Sequence, residues 1–205
     1  MDRSFSQVLI SPRANEPLGR ARYWPIYEAV EASGLPLGQH NANINGGHPS
    51  TGSGWPTYYM QEHYAFLPHQ QAMVVSMIME GVFERFPKLK VISIEAGFGW
   101  VPSLAWRLDK HFDRLRSELP DLKRKPSEYL RDHVWWSTQP MEEPDDKQHM
   151  LDAIGWLGWD KLMFATDYPH WDYDDPSRVL PAGVSKENRD AFYLGNARKV
   201  FGIAA

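Results

Sequence analysis

The 205-residue chain has no cysteine at all. That excludes disulfides and every metal site built on thiolate, so any bound metal must rest on His, Asp and Glu. The same absence fits a reducing setting, and the cytoplasm is the expected compartment. No apolar run approaches the roughly 18 residues that cross a bilayer. The opening stretch MDRSFSQVLISPRANE also lacks the apolar centre of a signal peptide. Positive charge is not in excess either. Lys and Arg number 22 against 26 Asp and Glu, a net charge of −4, which leaves no basic footprint for nucleic acid or for a membrane surface. A small molecule is the expected partner. There is no internal repeat and no low-complexity tract, and this length fits one domain.

What is present is organised around residues 161–172, KLMFATDYPHWD. A short apolar strand over 161–165 runs straight into a polar knot holding Asp167, His170 and Asp172. The C-terminal ends of strands are where α/β proteins gather catalytic groups and metal ligands. Asp167 is therefore a candidate metal ligand or general base, weighed against the plainer role of capping the next turn. Four further strands are expected at 7–11, 35–40, 90–94 and 133–137. Between and after them the pattern predicts helices over 24–32, 68–86, 101–116, 127–130, 142–158, 185–194 and 196–202. Helix, glycine, strand and polar residue recur in the order expected of a parallel sheet. Three strand ends carry a titratable group: His40, Glu95 and Asp167. If the strands run parallel, these groups share one rim.

The loop 41–60 is long, rich in Asn, Gly and Ser, and holds His48, Trp55, Tyr58 and Tyr59. Such length suits a binding loop. Met73, Met77 and Met79 are expected to fill core. Asn196 is expected to cap the last helix.

The blocks YWPIYEAVEASGLPLGQH, FPKLKVISIEAGFGWVPSLAWRLDKHFDRLRSELP, PSEYLRDHVWWSTQPMEEPDD, LMFATDYPHWDYDDP and GNARKVFG, in this order, resemble the amidohydrolase-related family. These are metal-dependent TIM-barrel enzymes, including aminocarboxymuconate semialdehyde decarboxylase and related hydrolases and decarboxylases. The resemblance implies an α/β fold of the (β/α)8 type, a divalent metal (zinc by expectation), and His40 and Asp167 among its ligands. Asp167, Glu95 and His170 are the candidate catalytic residues; His170 would bond substrate or fix the Asp167 loop, weighed against a Pro-His-Trp corner that only packs. Glu95 stands where relatives often carry a histidine, and its alternatives are a ligand, a support for one, or a structural pair with Arg107 or Lys90. Trp55, Tyr59, Trp100 and Trp171 are candidate walls for a planar or aromatic acid, although aromatics at such places also build cores.

No His-x-His occurs among the eight histidines, whereas the family's first strand ordinarily ends in that pair. The resemblance thus implies a partial barrel, about strands four to eight, lacking its N-terminal portion. A chain with few ligands is expected to hold metal weakly and to show little activity alone. Exposed sheet edges would favour a homo-oligomer. The implied activity is hydrolysis of a small carboxylated substrate by metal-activated water, with Asp167 accepting the proton. The alternatives are metal-dependent decarboxylation, or a non-catalytic fragment that serves association.

Overall fold

The computed structural model describes residues 5–40 and 51–203; the expectations placed on 41–50, His48 included, lie outside the described residues. Five strands form one sheet in the order β1 to β5, and every pairing is parallel. They are β1 (Val8–Ile10), β2 (Leu37–His40), β3 (Val91–Ile94), β4 (Val134–Ser137) and β5 (Leu162–Met163). Each falls inside its expected span, with β5 shortened to two residues. Beyond Met163 the backbone turns to other partners: Phe164 N–H donates to Phe192 O at 3.1 Å.

The helices are α1 (Trp24–Ser33), α2 (Tyr59–Tyr64), α3 (Phe66–Met79), α4 (Val82–Arg85), α5 (Val101–Phe112), α6 (Pro126–His133), α7 (Lys147–Leu157), α8 (Lys186–Asp190) and α9 (Asn196–Phe201). Helix α1 stops at Gly34, whose φ of 72° suits glycine far better than any side chain. A single helix was expected over 68–86. It is instead two, because Gly81 takes φ 71° and redirects the chain between α3 and α4. Helix α7 starts at Lys147 rather than 142, with Asp146 accepting from Gln148 N–H at 2.8 Å as its cap. One π-helical turn, Ala191–Gly195, links α8 to α9.

Alternation along the strands sends side chains to two faces. Leu37, Val91, Val134, Trp136 and Leu162 enter the main core with Val74, Met77 and Ile78 of α3, Ala105 of α5 and Ile154 of α7. Ile92 and Met163 face the other way and are covered by Val200 of α9. Met73 and Met77 are buried, as core filler should be. Asn196 caps nothing. Its amide donates to Trp159 O and Leu162 O, both at 2.7 Å, and so ties α9 to the backbone at β5.

Candidate metal centre

Register fixes the first part of the site. His40 lies opposite Ile94 in the parallel ladder, so Glu95, one residue on, reaches across to it. The His40 Nε2 to Glu95 Oε2 distance is 2.9 Å. This pair, and not Arg107 or Lys90, is the Glu95 contact. The bond to Glu95 raises the His40 pKa, burial opposes it, and the charges of Glu95 and Asp167 add to the rise. Four residues beyond β5, Asp167 stands beside His170, with Oδ2 and Nδ1 2.6 Å apart. Each carboxylate therefore has its own imidazole.

Ligand-capable atoms of Glu95, Asp167 and His170 all lie within 4.8 Å of one another. His40 is outside that trio but touches it through Glu95. The backbone at both carboxylates is unusual: φ is 58° at Glu95 and 55° at Asp167. A non-glycine residue in the left-handed region costs on the order of 1–3 kcal/mol, and such strained residues cluster at active sites and ligand clamps. Asp167 Oδ2 is also buried and accepts no hydrogen bond among the described residues, although the His170 nitrogen lies 2.6 Å away. An orphaned carboxylate oxygen costs free energy unless a cation meets it. The donor set of hard oxygens and imidazole suits a divalent ion. The residues fit a metal.

A cavity of about 240 Å³ adjoins this rim, lined by His63, Phe66, Leu67, Glu95, Pro140 and Met141, among others. Glu142 closes one side. Its carboxylate accepts from Phe98 N–H (3.0 Å) and Gly99 N–H (2.7 Å), which pins the loop that follows Glu95. Burial holds the Glu142 pKa up against those two donors. Asp174 holds the neighbouring Met141 by accepting from its N–H at 3.0 Å.

Of the four aromatics expected to line a pocket, Tyr59 and Trp171 meet edge to face, with centroids 6.4 Å apart. Both stay about two-thirds exposed, at 65% and 69%. Trp55 is 61% exposed and lines no described cavity. Trp100 departs from its expected place. It is buried in the main core, and its indole N–H donates to Ala96 O at 2.8 Å, because it opens α5 on the helix's apolar side. Sequence reasoning did not single out His63, Glu142 or Asp174. For Glu142 an indirect signal existed in Gly97 and Gly99, where a Cβ would lie 2.5 and 3.1 Å from its carboxylate.

The amidohydrolase family profile matches residues 7–203. The chain belongs to the amidohydrolase family. The match runs over nearly the whole chain and lends no support to assigning it to the C-terminal strands alone. The chain is 27% identical over 191 residues to a gamma-resorcylate decarboxylase of Polaromonas sp., covering 88% of this chain and 55% of the relative. Among solved structures it is similar to 5-carboxyvanillate decarboxylase of Sphingomonas paucimobilis, with TM-score 0.73 and 25% identity over 98% of this chain and 59% of that one. A dihydroxybenzoic acid decarboxylase of Polaromonas sp., solved with manganese and the inhibitor 2-nitroresorcinol, shares the fold at TM-score 0.69 and 23% identity, over 97% and 61%. The chain thus spans somewhat over half the length of these relatives. All three relatives are decarboxylases, and the one solved with a metal holds manganese rather than zinc. No helix among the described residues is long and apolar enough to cross a membrane.

Proposed function

We propose that the protein is a divalent-metal-dependent decarboxylase of a single-ring aromatic carboxylate. The observation that carries this is the convergence of Glu95, Asp167 and His170 on one point, beside a small, mostly apolar cavity. That cavity is below the roughly 300–1,000 Å³ of ordinary ligand sites, which suits one ring rather than an extended substrate. The relatives named above are decarboxylases of such acids, and this supports the choice over hydrolysis.

Glu95, Asp167 and His170 would hold the metal, with His40 as a further nitrogen donor. Bound there, a divalent cation supplies positive charge that binds the substrate carboxylate and offsets charge developing on the ring. The reaction consumes one proton per molecule: ArCO₂⁻ + H⁺ → ArH + CO₂. Asp167, whose Oδ2 has no hydrogen bond of its own, is the residue to carry that proton to the ring carbon. Phe66, Leu67 and Met141 exclude water from the slot and orient the ring.

Manganese binding by calorimetry, and CO₂ release from 2,6-dihydroxybenzoate and 5-carboxyvanillate, test this. Stoichiometric manganese and turnover of either acid are expected. Asp167→Asn and Glu95→Gln should each lower turnover at least about 100-fold. Hydrolysis of amide or ester substrates without any CO₂ release would overturn the reading.

A further inference from the structure

The imidazole of His63, on α2, is caged by rings: Tyr59 stacks on it at 5.9 Å, Phe66 lies at 5.1 Å and Trp171 at 5.5 Å. Its Nε2 lies 2.9 Å from Asp172 Oδ2, a partner 109 residues away in the chain. Both side chains are largely buried, at 18% and 10% exposure. A carboxylate that accepts from Nε2–H fixes the tautomer and leaves Nδ1 as the acceptor. No other hydrogen bond uses that ring among the described residues, and His63 lines the same cavity as Glu95. The structure therefore holds an oriented carboxylate–imidazole pair whose imidazole lines the cavity, outside the Glu95, Asp167 and His170 cluster. Such a pair is how proteins make a base.

We infer that His63, oriented by Asp172, is the base that removes the proton from a ring hydroxyl of the substrate. The inference rests on the cavity being an aromatic-acid site and narrows the substrate class to hydroxylated ring acids. As the hydroxyl proton moves to His63 Nδ1, the oxygen's electron pair is released into the ring. The carbon bearing the carboxylate then takes a proton. The C–C bond breaks, CO₂ leaves, and its bonding pair restores the aromatic ring. His63 returns its proton to the ring oxygen, so the net reaction still consumes one proton. Asp172 stabilises the imidazolium in the interval. Of the charged groups nearby, Glu62 is the neighbour of His63 on its own helix, held 3.6 Å from Arg13, and Glu95 and Glu142 line the same cavity.

The test uses the full chain with His63→Gln and Asp172→Asn, each checked for an unchanged circular dichroism spectrum and melting profile. In the first arm, metal-free protein is titrated with 2-nitroresorcinol, whose colour reports ionisation of its hydroxyls. Wild type should bind it ionised at a pH where the free probe is still protonated. His63→Gln should bind it protonated, and Asp172→Asn should fall between. In the second arm, CO₂ release from 2,6-dihydroxybenzoate is followed against pH with manganese present. The acid limb of kcat/KM should vanish in His63→Gln with at least a tenfold loss at neutral pH, while a benzoate lacking hydroxyls is refused by both proteins. Ionised probe on His63→Gln, or an unchanged pH profile, would overturn the role of His63 and leave the decarboxylase reading standing. Silence of wild type in both arms would overturn the two together.

Discussion

Asp174 is a single carboxyl whose burial pushes its pKa from 3.8 up to about 6, against the pull of the Met141 N–H. Between those pH values the folded chain keeps a proton that the unfolded chain has lost. Stability therefore falls as pH rises from about 4 to about 6, then stays at the lower level. Asp174→Asn keeps an oxygen for Met141 N–H and removes the buried charge. It should melt higher than wild type at pH 7 and equally at pH 4, as differential scanning calorimetry would record. Tyr27 shows the complementary case of a satisfied buried group: fully buried, it donates to Leu18 O at 2.5 Å. Tyr27→Phe strands that carbonyl and should cost roughly 1–3 kcal/mol by urea denaturation.

The rim loops are held by contacts between elements distant in sequence. The loop after β3 depends on Glu142, which satisfies the N–H groups of Phe98 and Gly99 just before α5. Gly97, at φ 59°, lets that carboxylate approach to where a Cβ would stand 2.5 Å away. Gly97→Ala should therefore cost on the order of 1–2 kcal/mol from the backbone alone, and more from the clash. Because Glu95 lies two residues upstream, it should also weaken manganese binding, which calorimetry would read directly. The failures of sequence reasoning cluster at this scale. The pattern 142–158 looks like one helix with an acidic first turn, yet Glu142 turns back to another loop, where the Phe98 and Gly99 N–H groups need an acceptor. Asn196 looks like a cap and instead stitches α9 to β5.

Across the molecule, one continuous core joins the sheet to α3, α5, α6 and α7. Leu162→Ala, at a fully buried position, should cost roughly 2–5 kcal/mol and lower a single cooperative transition rather than split it. Among the described strands β1 and β5 each pair on one side only, and Leu9 of β1 is 60% exposed. Free edges favour pairing with another chain, and a lysine there opposes it. Light scattering should give a mass above that of one chain, which Leu9→Lys should lower.

The sequence by itself determined the alternation of strand and helix, the position of all five strands, and the titratable group at the end of three of them. These are local signals: apolar period, glycine stops and polar strand ends are written in neighbouring residues. The tertiary structure alone decided that Glu95 would take His40 as its partner, and that Glu95 and Asp167 would both adopt left-handed backbone. It also brought His63 to Asp172 and buried Trp100 away from the cavity. Each of these depends on which distant groups share a low-dielectric space and must satisfy one another, and no local period encodes that choice.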